Sequence, residues 1–339
     1  MYKEFFGLRE SAFNVSPDPR YFFLTPVMQE ALAGLAYGVQ KRKGIILLTG
    51  EVGTGKTTLL NQLLDWLRQN GAATAFIFNS LLSVEDLFNY ILTDFGISCQ
   101  SRAKSDMLIR LNSWLLDRCL AGDPEPAVLI IDEAQNLSAE LLEEIRLLTN
   151  LETSSEKLLQ IVLSGQPELE VKLRDPKLRQ LRQRITLRYR TIQFSPSEAR
   201  SYIEERLRIA GASGTAIFSP EAIESIHHYS RGVPRVINVL CDHALINAFA
   251  ERQNSVSARF IDEVAHEFEL DIVEPIARPF SSGIPEGEAA VMLQAMLAAM
   301  AKAAGSLSST ESLLNDFTRR EDGKVPAVTA WAESGERKI

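Results

Sequence analysis

The sequence predicts an α/β fold: a five-stranded parallel sheet between helices, followed by an all-α lid domain. Three observations predict it. Apolar runs of strand length alternate with helical patterns from residue 44 to 194. A glycine-rich loop in "LLTGEVGTGKTTLL" (Leu47–Leu60) joins the first strand to the helix after it. Past residue 194 the strand patterns stop and helix-start signals repeat.

Residues 1–43 read as an N-terminal segment that packs on the α/β core. The stretch "NVSPDPRYFF" (Asn14–Phe23) has two prolines in three positions and excludes regular structure. Phe5, Phe6, Phe13, Tyr21 and Phe22 are expected to pack this segment onto the sheet, with lining of an adenine pocket by one of them as the alternative. Met28, Leu32, Leu35 and Val39 then recur at helical spacing.

The α/β unit spans 44–194. "GIILLTG" reads as a short buried strand, followed by a helix over about 57–69. "TAFIFN" (Thr74–Asn79) is a second strand. Ser83 with Asp86 forms a capping box for a helix running to Phe95. A further helix covers about 105–120 and is broken by "GDPEP". "AVLIID" (Ala127–Asp132) is the third strand, and Ser138 opens a helix to about Leu148. "LLQIVLSG" is the fourth strand, "ELEVKLRDPKLRQL" is helical around a proline break, and "ITLRYRTIQF" is the fifth strand.

The lid spans 195–270. Ser195, Pro196 and Glu198 give a capping box with proline at the first helical position, and Ser219 with Pro220 repeats the start. "VPRVINVLCDHALINAFAE" and "SARFIDEVAHEFEL" complete four helices. From 271 to 339 the chain reads as a linker, an Ala/Met-rich helix near 287–304 and a polar tail. Leu293, Met296, Leu297 and Met300 would form one apolar face suited to a partner's groove.

Composition narrows the class. The 339 residues are 45% hydrophobic and 24% charged, an ordinary soluble balance. The net charge of −8 excludes non-specific coating of nucleic acid by the whole molecule, while a local basic patch leaves DNA open as a partner. Cys99, Cys119 and Cys241 make no disulfide framework and no zinc spacing. No segment reaches the apolar length of a membrane span. The expected location is the cytoplasm, with any approach to the inner membrane made through a partner.

The residues that carry chemistry begin at Gly50-Glu51-Val52-Gly53-Thr54-Gly55-Lys56-Thr57, which matches the P-loop pattern in full. Glycines let the backbone wrap until its N–H groups point at phosphate oxygens, and the following helix N-terminus adds partial positive charge. Gly50 through Thr58 therefore form the expected nucleotide cradle. Lys56 is expected on the terminal phosphates and Thr57 on Mg²⁺. "VLIIDEAQ" (Val128–Gln135) follows about 75 residues on. Its Asp132 emerges at a strand's carboxyl end, where open α/β sheets bind ligands, and is expected to hold Mg²⁺ with Thr57. Glu133 is expected to polarise the attacking water.

Ser164 and Gln166, at the end of the fourth strand, are both placed to contact the γ-phosphate or align the water. "KLRDPKLRQLRQRITLRYR" (Lys172–Arg190) holds eight basic residues and one acid. Arg184 is the first candidate and Arg182 the second for an arginine finger reaching a neighbour's site. Arg235, early in the third lid helix, is placed to swing onto the γ-phosphate as the lid closes.

Taken together these residues resemble an AAA+ ATPase, and more closely the general secretion pathway protein A family. The matching words are "FFGLRESAF", "SPDPRYFFLTPVMQEALAGLAYGV", "LLTGEVGTGKTTLL", "LIIDEAQNLSAELLEEIRLLTNLET", "LSGQPEL", "LRQRI" and "GVPRVIN", in order over about residues 1–270. Ala12 stands where that family usually has proline. The same module is similar to transposition-regulating ATPases that bind DNA as ATP-loaded oligomers. The resemblance implies ATP and Mg²⁺ as ligands and a homo-oligomer with ATP between subunits. Three outputs follow as alternatives: an accessory to secretion, polysaccharide export or other envelope assembly, a DNA-binding regulator of transposition or recombination, or a nucleotide-gated scaffold that scarcely turns over. A protein partner would engage the C-terminal tail or the lid. Long members continue into a membrane span and a peptidoglycan-binding domain, neither of which this sequence contains, so their assembly role is not carried over.

Overall fold

The computed structural model describes residues 2–14, 18–78, 82–122, 125–154, 156–212, 216–270, and 292, 295 and 296. The chain opens with one helical turn, α1 (Tyr2–Phe5), a 3-10 turn at Pro19–Tyr21, and α2 (Pro26–Gln40). Thr25 caps α2 by accepting from the Met28 N–H, and Pro26 takes the first position, where its missing N–H costs nothing.

The α/β unit then runs β1 (Ile45–Thr49), α3 (Lys56–Gln69), β2 (Ala73–Ile77), α4 (Val84–Asp94), α5 (Lys104–Leu120) and β3 (Ala127–Ile131). It continues with α6 (Ala139–Leu148), β4 (Leu159–Gly165), α7 (Pro167–Lys172), α8 (Arg179–Arg184) and β5 (Ile185–Arg190). The five strands form one sheet in the order β2-β3-β4-β1-β5, all parallel. The three central strands are buried throughout their length, as continuous apolar runs covered on both faces should be. The edge strands β2 and β5 are partly exposed.

Ile45, Leu47, Leu129, Ile131, Ile161 and Leu163 face one layer, with Phe88 of α4, Leu111 of α5 and Leu142 of α6. The other face is covered by α2 and α3. α2 lies close because Gly34 and Gly38 share its inner side. A Cβ on Gly34 would stand 2.1 Å from the Tyr189 ring, and one on Gly38 would stand 2.5 Å from Ile46 Cδ1.

β5 ends at Arg190, four residues short of the sequence expectation. Thr191 still donates its N–H to Thr49, but the chain then leaves the sheet. Phe194 donates its N–H to Gly232 and packs edge-on to Tyr202 and Phe23, so burial in the next domain outweighs further pairing. That domain comprises α9 (Pro196–Ile209), α10 (Pro220–Ser230), α11 (Pro234–Ala250) and α12 (Ala258–Glu267). Ser195 and Glu198 make the expected capping box.

The first part of the N-terminal segment departs from expectation. It lies on the helical domain rather than on the sheet, whose free face α2 and α3 already fill. Phe5 meets Phe249, Phe13 meets Phe218, the Arg9 N–H bonds the Ala210 carbonyl, and the Tyr2 hydroxyl donates to Asp242. α2 packs on the α/β core.

Beyond 270, Met292, Ala295 and Met296 are helical, the two methionines buried and Ala295 exposed. The expected linker, the rest of that helix with Leu293, Leu297 and Met300, and the tail lie outside the described residues. Among the described residues no helix is long and apolar enough to cross a membrane.

In a helix interior, replacing glycine by alanine ordinarily stabilises by up to about 1 kcal/mol. At Gly34 the sign reverses. Gly34→Ala must move Tyr189 or lift α2, and overpacking of this kind costs about 1–3 kcal/mol. A lower urea midpoint with an unchanged slope is the expected result.

Candidate active site

The strand order brings three functional strand ends together. β4 lies between β1 and β3, so the loop after β1, Asp132 after β3 and the end of β4 are neighbours at the carboxyl rim.

The loop from Gly50 to Gly55 is shaped by its glycines. A Cβ on Gly50 would come within 2.0 Å of the Thr191 hydroxyl and 2.8 Å of its carbonyl. Gly53 (φ 77°) and Gly55 (φ 94°) hold left-handed conformations that other residues strain to adopt. Gly55 is the N-cap of α3 and offers no side-chain cap, so the first N–H groups of that helix remain available to an anion. Thr54 is fully buried and donates to the Glu51 carbonyl at 2.7 Å. Its oxygen therefore accepts from the Thr191 hydroxyl, also at 2.7 Å. The Thr54 side chain braces the loop, while Val52 stands exposed at the tip.

Lys56 is 5% exposed. Its ammonium donates to the Gly50 carbonyl at 2.7 Å and the Glu51 carbonyl at 3.0 Å. Among the described residues no carboxylate lies within ion-pair distance of it. Burial pushes its pKa down, against the upward pull of Glu133 and Asp132. Two of its three donors are used on neutral carbonyls, so a desolvated cation with a donor to spare stands at the loop's centre.

Asp132, also buried, accepts from three donors. Thr57 Oγ1 meets its Oδ2 at 2.8 Å, and Ser164 Oγ and the Glu133 N–H meet its Oδ1 at 2.8 and 3.0 Å. The two strand-four candidates thus separate: Ser164, fully buried, holds Asp132, whereas Gln166 donates to Glu133 Oε2 at 3.1 Å. Glu133 has a left-handed backbone (φ 52°), which turns its side chain out of the strand direction and into the cleft. Gln135, not singled out from the sequence, donates to the same Oε2 at 2.5 Å. Its signal was its place two residues after Glu133.

A cleft of about 390 Å³ opens between the loop and the helical domain. Its floor runs from Val52 to Thr58, with Glu133 at one side. The roof includes Arg235 and Asn238 of α11, and the far wall is formed by Tyr21, Phe23, Tyr202 and Arg206. Arg235 has an exposed side chain, and its backbone N–H approaches the Gly53 carbonyl at 3.4 Å, so the start of α11 rests on the loop. Arg206 was not anticipated. It is buried, with no carboxylate in ion-pair contact among the described residues, and donates to the Ala12 carbonyl (2.5 Å), the Asn14 carbonyl (3.3 Å) and the Tyr202 hydroxyl (2.6 Å). The Tyr21 ring covers its guanidinium at 4.7 Å. Burial pushes the Tyr202 hydroxyl's pKa up.

Arg182 and Arg184 lie in the last turn of α8, outside the cleft. Arg184 donates to the Thr149 hydroxyl, and Arg182 is exposed.

Thr57 and Asp132 present two oxygens in contact with one another, which suits Mg²⁺: that ion takes one or two protein oxygens and completes its shell with water and phosphate. The buried Lys56 and the glycine cradle suit the phosphates.

Comparison with known proteins bears on the family and the fold. Residues 39–173 match the AAA domain family. The chain is 44% identical over 268 residues to general secretion pathway protein A of Aeromonas hydrophila, covering 79% of this chain and 48% of that protein. It therefore spans about half the length of the curated relative it matches. Among solved structures, the fold is similar to the ORC2 protein of Aeropyrum pernix, determined with ADPNP and ADP (TM-score 0.59, 18% identity, 78% of this chain and 73% of that one). It is also similar to Cdc6p of Pyrobaculum aerophilum (TM-score 0.57, 16% identity, 90% and 89%). At these identities the likeness shows the fold alone.

The Thr191–Thr54 contact is a brace that can be removed without touching the loop. Thr191→Val should cost about 0.5–1.5 kcal/mol of stability, the net worth of one such hydrogen bond. It should also weaken binding of a fluorescent ATP analogue, because the loop loses its lateral support. Titration and urea unfolding together check this.

Proposed function

We propose that this chain, which matches the AAA domain family over residues 39–173 and is homologous to general secretion pathway protein A over 79% of its length, is an Mg²⁺-dependent, ATP-driven oligomeric switch serving a secretion or other envelope-assembly system. The observation that carries the chemistry is the meeting of Thr57 Oγ1 and Asp132 Oδ2 at 2.8 Å beside the buried Lys56. Phosphate oxygens replace the Gly50 and Glu51 carbonyls as partners of Lys56, and the α3 N-terminus supplies further N–H groups. Thr57 and Asp132 would hold Mg²⁺, which would supply charge neutralisation to the phosphates when bound.

Glu133 orients a water for attack on the γ-phosphorus and takes its proton. The bond to the β,γ-bridging oxygen breaks, and ADP and phosphate leave. Arg235 approaches the γ-phosphate from the lid. Arg182 and Arg184 lie outside their own cleft, which supports a site completed by a neighbouring copy. A finger of this kind contributes about 10³–10⁵ in rate. ATP favours assembly only to the extent that it binds the assembled state more tightly.

The relative's name supports the secretion role, with the protein in the cytoplasm and meeting the inner membrane through a protein partner at its lid or C-terminal tail. A second reading, a DNA-binding ATPase of transposition or recombination, is favoured by one surface. Arg174, Lys177, Arg179, Arg182 and Arg188 are all exposed along α7–β5. Phosphate-backbone contacts there would make ATPase activity DNA-stimulated and steeply salt-dependent. A response flat in both DNA and salt would leave the first reading standing alone.

Paired variants test the chemistry. Lys56→Ala should lose ATP binding in calorimetry. Glu133→Gln should keep it, lose turnover, and accumulate the assembled form in size-exclusion chromatography with ATP. Full turnover by Glu133→Gln would remove the role given to Glu133.

A further inference from the structure

Gln135 lies in the 3-10 turn Ala134–Asn136, between Glu133 and α6. Both ends of its carboxamide are engaged. Its Nε2 donates to Glu133 Oε2 at 2.5 Å, and its Oε1 accepts the backbone N–H of Gln166 at 3.1 Å. The partners decide the amide's orientation: a carboxylate only accepts and a backbone N–H only donates, so the group has one productive setting.

The neighbourhood is built around that setting. A Cβ on residue 165 would stand 2.7 Å from Gln135 Oε1, so Gly165 makes room for the contact. Lys172 of α7 donates to the Gln135 and Leu137 carbonyls at 2.8 and 2.5 Å, which anchors the turn's backbone. Gln166 is the N-cap of α7, yet its side chain makes no capping bond. It reaches Glu133 Oε2 instead, at 3.1 Å. Two amides therefore converge on one carboxylate oxygen. The other oxygen, Oε1, accepts no hydrogen bond among the described residues, and Glu133 lines the cleft.

We propose that Gln135 is a positioning residue for ATP hydrolysis: its carboxamide staples the Glu133 carboxylate to the start of α7 and so sets the direction in which Oε1 meets the water. The inference rests on Glu133 being the water's base. The left-handed backbone at Glu133 places the carboxylate over the cleft without choosing its rotamer, and the staple chooses it. Gln135 itself does not line the cleft, so it acts through Glu133 and not on substrate. Misplacing a reacting group by about 1 Å costs up to about 100-fold in rate, while nucleotide affinity, set by the loop and Lys56, stays.

The test uses the full chain with Gln135→Leu, Gln135→Glu and Glu133→Gln. Three quantities are measured: kcat and KM for ATP, affinity for a slowly hydrolysed ATP analogue, and amide hydrogen exchange at Gln166 without nucleotide. Gln135→Leu loses both ends of the staple. Its kcat should fall about 10- to 100-fold with KM and analogue affinity within about threefold, and the Gln166 amide should exchange faster. Gln135→Glu keeps an acceptor for the Gln166 N–H but replaces the donor with a like charge. Its Gln166 protection should stay while kcat falls at least as far.

Wild-type kcat in both Gln135 variants, beside an inactive Glu133→Gln, overturns the staple and leaves the Glu133 reading intact. A rise in kcat in Gln135→Leu overturns it too, since the contact would then be a brake. Equal losses in kcat and analogue affinity with a lowered melting temperature would make Gln135 merely structural. An active Glu133→Gln overturns the premise itself.

Discussion

One buried carboxylate ties the site together. Asp132 ends β3, and its two oxygens accept from Thr57 at the start of α3, from Ser164 at the end of β4, and from the backbone of Glu133. A charge removed from water needs such partners, because each unmade hydrogen bond to it costs heavily. The three donors come from three neighbouring strand–loop units, so satisfying one anion fixes the spacing of the whole rim. The β4 strand between β1 and β3 is what makes that possible. The Asp132 N–H, bonded to the Ile77 carbonyl at the end of β2, extends the tie by one strand.

The loop that faces this carboxylate is held from two sides. Thr191, just past β5, braces Thr54 from within the sheet, and Arg235 and Val233 of the lid press on Gly53. Neither side can move without disturbing the loop backbone. The start of α11 therefore rests directly on the glycine-rich loop, with the Arg235 N–H on the Gly53 carbonyl.

The far wall of the cleft is organised by Arg206. Its guanidinium reaches carbonyls of the N-terminal segment and a lid tyrosine, and an aromatic ring covers it. A buried cation draws its neutral acceptors inward, and here they include the backbone of residues 12 and 14. The N-terminal segment thereby becomes part of the cleft, where Tyr21 and Phe22 take the alternative place that the sequence left open for one of these aromatics.

The sequence by itself determined the elements and where along them the candidate site residues sit. Helix starts at Ser83, Ser138, Ser195 and Ser219 are local: a hydroxyl three residues from an N–H needs no distant partner. The central strands were legible because burial on both faces demands unbroken apolar runs. Lys56, Thr57, Asp132 and Glu133 were legible because their order along strand and loop is itself the pattern. Tertiary structure alone decided which polar groups meet: Ser164 with Asp132, Gln135 and Gln166 with Glu133, Thr191 with Thr54 across 137 residues, and Arg206 with Ala12 across 194. Those contacts depend on how parallel strands stand in register and on which face the chain's end finds uncovered. No spacing along one segment encodes either, because both are set by the burial of all the segments at once.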